Sequence, residues 1–104
     1  MKKKTKFNIA IIGLGNIGSS LYQHLIKNRE SIRKKTNVDL NIKYVSAKNK
    51  SKKRKINIPK NKWLKNYIDA SKKIDVDIVV ELIGGSDGPA KNLVFTGKKI
   101  VSFF

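Results

Sequence analysis

The run Gly13-Leu14-Gly15-Asn16-Ile17-Gly18 limits what this chain can fold into more than any other feature. It follows a short apolar segment, Phe7-Asn8-Ile9-Ala10-Ile11-Ile12. Behind it, apolar residues recur at helical spacing: Ile17, Leu21 and Leu25, with Tyr22, Ile26 and Ile32 widening the stripe. A segment apolar on both faces and stopped by glycine reads as a buried parallel strand. The periodic stretch reads as an amphipathic helix from about Asn16 to Thr36-Asn37. Between such elements each glycine has its own task. Gly13 permits the turn out of the strand, Gly15 removes a Cβ where a ligand must come close, and Gly18 lets the helix pack on the sheet. Free N–H groups from Asn16 to Gly18, with the helix dipole behind them, would then face negative charge. The expected occupant is the pyrophosphate of a dinucleotide. The plainer alternative is a strand-to-helix turn with no ligand.

The remainder of the chain supports the same architecture. Leu40–Val45 alternates as Leu-Asn-Ile-Lys-Tyr-Val and reads as a second strand. Residues 48–61 form a lysine-rich polar connection closed by Pro59, expected to be a solvated loop. Trp63–Ile74 is expected to be a short helix with Trp63, Tyr67 and Ile74 inward. Val76–Ile83 is the strongest strand signal, stopped by Gly84-Gly85. Pro89 suits the first turn of a helix reaching about Thr96, Gly97 breaks it, and Lys98–Phe103 reads as a last strand. This order predicts an α/β fold: a Rossmann-like parallel sheet of about four strands with helices on both faces.

Composition narrows the function classes. The 104 residues carry a net charge of +17, from 24 Lys and Arg against seven Asp and Glu. Only Arg29, Arg33 and Arg54 are arginines, the residue that specific readers of bases and phosphates prefer. The Lys, Asn and Ile enrichment is what AT-biased coding produces, so the charge reads first as solvated surface. A basic nucleic-acid-binding protein using Lys48–Lys55 is the weaker alternative, because no recognition motif accompanies that run. Cysteine is absent, which removes disulfides and thiolate metal sites; no metal site is expected. Met1-Lys2-Lys3-Lys4 resembles the start of a signal peptide, but the apolar run Ile9–Ile12 is too short for a signal core or a membrane span. A cytoplasmic protein without a membrane or specific nucleic-acid partner is expected.

Two further segments bear on the ligand. The end of the second strand usually carries an acid where NAD is bound and cations where a 2′-phosphate is bound. Here it reads Ser46-Ala47-Lys48-Asn49-Lys50, with no acid until Asp69. Lys48 and Lys50 therefore suggest NADP, with Ser46 as a hydroxyl donor. NAD is the alternative cofactor if both lysines merely belong to the solvated loop. The second segment, Glu81-Leu82-Ile83-Gly84-Gly85-Ser86-Asp87-Gly88-Pro89, lies at the end of the third strand, where Gly84 and Gly85 permit close backbone approach. Glu81 reads equally as a buried hydrogen-bonding carboxylate or as the polar-facing residue of an edge strand. His24 falls mid-helix and is expected to be a surface or packing residue.

These residues together resemble the N-terminal cofactor domain of the homoserine dehydrogenases. The resemblance rests on Ile11–Gly18, on Val45-Ser46-Ala47-Lys48, and above all on Val76–Ala90; it runs from about Asn8 to Lys99. It implies an NAD(P)-dependent oxidoreductase interconverting aspartate semialdehyde and homoserine in threonine and methionine biosynthesis, a homo-oligomer in the full-length family. It would place the pyrophosphate on Gly13, Leu14, Gly15, Asn16, Ile17 and Gly18, the adenosine phosphate, where the cofactor has one, near Lys48, and the nicotinamide near Leu82, Ile83, Gly84 and Gly85. Asn16 stands where the family usually has Thr or a small residue. Where the family continues after Val101-Ser102 into an Ala-Asn-Lys loop, this chain has Phe103-Phe104. The expected unit is thus a partial cofactor domain over residues 1–104. The catalytic domain is expected to be absent, no catalytic residue is assigned, and an amino-acid substrate would bind only if that domain were supplied. A non-catalytic dinucleotide-binding module is the alternative.

Overall fold

In the computed structural model, which describes residues 5–47, 56–66, 69–73, 75–82 and 99–102, the first apolar segment forms strand β1, Lys6–Ile12. Helix α1 follows as Asn16–Thr36. It ends where Asn37 turns left-handed at φ 61° and donates its N–H to Arg33 O, a conformation that Asn tolerates better than most residues. Strand β2, Asp39–Ser46, returns parallel to β1. Strand β3, Ile78–Glu81, pairs with the other edge of β1, and strand β4, Lys99–Ser102, pairs with β3, all parallel. The sheet order β2-β1-β3-β4 means the chain leaves β1 in one direction and returns across it in the other. That reversal opens a crevice at the carboxyl ends of β1 and β3.

Both faces of the sheet are covered by described residues. On one, Leu21, Tyr22 and Leu25 of α1 pack over Ile9, Ile11, Ile42, Val45 and Val80. On the other, Leu64, Val76 and Ala70 of the short helix α2, Asp69–Lys72, pack over Ala10, Ile12 and Val79. The inward stripe of α1 is Gly18, Leu21, Tyr22 and Leu25, at i, i+3, i+4 and i+7. Ile17 and Ile26, read from sequence as part of the stripe, are exposed instead. Ile17 precedes Gly18, which faces the sheet, and one residue turns a helix by about 100°, so Ile17 is carried off that face.

Several expectations are corrected. Residues 63–74 do not form one helix. A 3-10 turn at Lys60–Lys62 leads into Trp63 and Leu64, which run extended beside β2, with the Leu64 N–H donating to Val45 O at 2.9 Å. A sheet-edge hydrogen bond of that kind excludes helix at Trp63. Tyr67 and Ile74 lie outside the described residues. The connection 48–61 is not wholly solvated, because Ile56 and Ile58 pack against the α1-side core. Strand β3 begins only at Ile78, since Val76 N–H closes a turn onto Lys73 O. The expected helix over 89–96 lies outside the described residues.

Strand β2 also departs from plain alternation. Its register on β1 slips between Ile9↔Ile42 and Ala10↔Tyr44, leaving Lys43 as an extra, bulged residue. Leu40, Ile42 and Val45 therefore share the α1 face, while Tyr44 packs on the opposite one.

Ion pairs hold the ends of these elements. Arg29 of α1 grips Asp39 with two hydrogen bonds, Nε to Oδ1 at 2.7 Å and Nη2 to Oδ2 at 3.0 Å. Lys43 Nζ lies 2.6 Å from Asp75 Oδ2. The hydrogen bond from Arg29 holds the Asp39 carboxyl below its ordinary 3.8, and that from Lys43 does the same for Asp75. A carboxyl group depressed in the folded state stabilises the fold above its ordinary value, and the contribution is lost as pH falls through the folded value. Urea denaturation is therefore expected to show stability declining as pH falls below about 4. Asp39→Asn should make that acid limb shallower and, for a pair this open to solvent, cost about 0.5 kcal/mol at neutral pH.

Gly18 sets the position of α1. A Cβ built there would lie 2.0 Å from Gly13 O and 3.4 Å from Leu82 Cδ1. The obstacle is backbone, so it cannot swing aside. Gly18→Ala is expected to lift the first turn from the sheet and cost about 1–3 kcal/mol in thermal or urea unfolding.

Candidate functional site

At the carboxyl rim the backbone of three strands converges on the glycine turn. Gly13 N–H donates to Ser46 O at 2.8 Å, and Leu82 N–H donates to Ile12 O at 2.8 Å. Gly13 itself sits at φ 98°, where a side chain is strained. Leu14 is buried, and its carbonyl accepts a hydrogen bond from Ser19 Oγ at 3.3 Å, fixing the turn from below. The first intrahelical bond of α1 is Ser19 N–H to Gly15 O at 2.9 Å. The N–H groups of Asn16, Ile17 and Gly18 precede that bond and so have no partner within the helix. No side chain caps Gly15, and the first turn contains no acid.

The three glycines differ in what requires them. Gly13 is set by its backbone angle and Gly18 by contact with the Gly13 carbonyl. Neither reason applies at Gly15. Its φ of −76° is open to any residue, and among the described residues a Cβ there would meet nothing within 4 Å. The space before it is an exposed cradle facing uncapped N–H groups, a form suited to a tightly approaching anion.

The structure brings together most of the residues singled out from sequence. Gly13, Leu14, Gly15, Asn16, Ile17 and Gly18 form the turn, with Asn16 and Ile17 exposed over it. Ser46 and Leu82 flank the turn from β2 and from the end of β3. Lys48, Ile83, Gly84 and Gly85 lie outside the described residues, as do Lys50 and Asp87. Ser46 is buried, and its carbonyl serves Gly13.

Glu81 pairs in register with Ile12 on one side and Ser102 on the other. It is fully buried. Strand β3 is an inner strand, so the edge-strand reading of Glu81 is corrected and the buried-carboxylate reading stands. His24 is exposed mid-helix, with Asn28 Nδ2 donating to its carbonyl at 2.9 Å, far along α1 from the turn.

Sequence reasoning did not single out Lys62. Its ammonium stands 5.7 Å from the centre of the Tyr22 ring, and burial, then the charge of Arg29, lowers its pKa. One lysine in a lysine-rich stretch carries no local signal of such a contact. Among the described residues, no helix is long and apolar enough to cross a membrane.

The sequence pattern of the family described as "Homoserine dehydrogenase, NAD binding domain" matches residues 13–96. The homoserine dehydrogenase of Bacillus subtilis (strain 168) is 29% identical over 86 residues, covering 83% of this chain and 20% of that protein. That of Neisseria gonorrhoeae is 33% identical over 99 residues, covering 91% and 22%. A crystal structure of S. aureus homoserine dehydrogenase at pH 7.5 superposes with a TM-score of 0.81 at 30% identity, over 93% of this chain and 26% of that one. The enzyme from Thiobacillus denitrificans gives 0.74 at 25% identity, over 93% and 23%. The chain thus spans about a fifth of the length of the relatives it matches. A four-stranded parallel sheet reversing at β1, a glycine turn leading into α1, and these likenesses agree: the chain belongs to the homoserine dehydrogenase family, over its nicotinamide-dinucleotide-binding domain.

Proposed function

We propose that the chain seats NADP(H) for the interconversion of L-aspartate 4-semialdehyde and L-homoserine, a step toward threonine and methionine. One observation carries the seat: Gly15 is a glycine that packing among the described residues does not require, at the uncapped start of α1. A dinucleotide pyrophosphate supplies the missing reason. Asn16, Ile17 and Gly18 would direct N–H groups at it, and Leu82 with Ile83, Gly84 and Gly85 would border the nicotinamide. The cofactor, when bound, carries the hydride. What these residues do is hold its phosphates, orient its ring and keep the helix N-terminus facing negative charge.

The choice of NADP over NAD rests on Ser46 and Lys48, with Lys50 beyond, and on the lack of an acid between Ser46 and Asp69. Solvent screening keeps each surface lysine to a small contribution, so a preference of roughly tenfold that weakens with salt is expected. Lys48→Glu should erase or reverse it in paired NADPH and NADH titrations; an unchanged ratio would return Lys48 to the solvated loop.

The seat itself is tested by Gly15→Val. Among the described residues nothing lies within 4 Å of a Cβ at that position, so thermal stability and helix content should stay near those of the parent. NADPH binding, read as energy transfer from Trp63 to the reduced nicotinamide, should be lost. A variant that binds as tightly as the parent would place the pyrophosphate elsewhere.

A further inference from the structure

The bulge in β2 decides what reaches the glycine turn. Continued without it, the register Ile9↔Ile42 would pair Ile12 with Val45 and carry Ser46 past the end of β1. A one-residue slip also turns every later side chain to the opposite face. Val45, which now packs with Tyr22, would leave the α1 side. With the bulge, Ile12 pairs with Ser46, and the Ser46 carbonyl lies where Gly13 N–H reaches it at 2.8 Å.

The bulge is held by one carboxylate. Lys43 Nζ and Tyr44 Oη, from consecutive residues, both meet Asp75 Oδ2, at 2.6 and 3.2 Å. Lys73 Nζ stands 5.3 Å from the centre of the Tyr44 ring. The Asp75 main chain is tied in turn to β1, because Asn8 Nδ2 donates to Asp75 O at 2.8 Å. Asn41 Nδ2 donates to Asn8 Oδ1 at 3.0 Å, closing the link between β1 and β2. Asp75 therefore fastens the extra residue of β2 to the segment entering β3. Tyr44 lies two residues before Ser46, about 7 Å along the strand.

We propose that Asp75 is a positioning residue for the adenosine side of the cofactor seat: through Lys43 and Tyr44 it fixes the bulged register that brings Ser46 to the glycine turn. The inference rests on the dinucleotide reading above for its ligand, while its effect on register is independent of any ligand. Bulges beside functional sites commonly re-aim one strand end in this way.

The test uses the 104-residue chain, isotopically labelled, as the parent, Asp75→Asn, and a swapped pair, Lys43→Asp with Asp75→Lys. In Asp75→Asn, the Gly13 amide should exchange with solvent about tenfold faster, while the amides of Leu25 and Ile26 in mid-α1 keep their protection. Chemical-shift titrations should show affinity for adenosine 2′,5′-bisphosphate falling about fivefold, with that for nicotinamide mononucleotide unchanged. The swapped pair should recover both values at least in part. Unchanged Gly13 exchange in Asp75→Asn overturns the proposal. Equal loss at Gly13, in mid-α1 and for both nucleotides also overturns it, since a general weakening of the fold would do the same. If the parent binds neither nucleotide, the dinucleotide reading fails, and Gly13 exchange alone decides whether Asp75 sets the register.

Discussion

The absence of a side chain at Gly18 governs the rest of the rim. Only there can the first turn of α1 lie directly on the Gly13 carbonyl with Leu82 beside it. Once that contact sets the helix axis, Leu21, Tyr22 and Leu25 fall over Ile9, Ile11 and Val45, and Arg29, about two turns beyond Tyr22, reaches Asp39. The same placement leaves the N–H groups of the first turn, which have no partner within the helix, at the carboxyl rim of the sheet. The neighbouring glycines thus differ: at Gly18 the chain fills the space a side chain would need, and at Gly15 no described residue does.

Charge is distributed to suit such a site. Several acids are engaged away from the turn: Glu30 with Arg33, Asp39 with Arg29, and Asp75 with Lys43 and Tyr44. The first turn of α1 holds no acid, while its last turn holds Arg33, Lys34 and Lys35 beside the negative end of the dipole. With a net charge of +17, the chain presents a positive field to any dinucleotide. The field follows from composition; the direction in which it is useful follows from where α1 begins.

The two ends of the sheet have separate duties. At the amino end, polar side chains do the fastening: Asn8 takes Asp77 Oδ2 on its N–H at 2.8 Å and reaches Asp75 and Asn41 through its amide. At the carboxyl end backbone bonds among Gly13, Ser46, Ile12 and Leu82 do most of the described fastening, with Ser19 Oγ on the Leu14 carbonyl beside them. The register that aligns the rim is set some residues upstream.

What the sequence determined by itself was local. An apolar strand, three spaced glycines and a helical stripe specify β1, the turn and α1, because each depends on neighbours within a few residues. The turn at Gly13 and the end of α1 at Asn37 were legible for that reason, and so was the parallel order of the strands. Contacts across long separations were not legible. Leu-Asn-Ile-Lys-Tyr-Val alternates well enough as a plain strand, and nothing in it shows that Asp75, more than thirty residues on, draws Lys43 and Tyr44 to one oxygen and inserts a bulge. Trp63 has helical spacing to its neighbours, yet the free edge of β2 at Val45 claims the backbone beside it and holds it extended. Glu81 looked equally at home inside or at an edge until β4 covered β3. Tertiary structure decided these three because unsatisfied strand edges and buried charges are resolved only by whatever the fold brings alongside them.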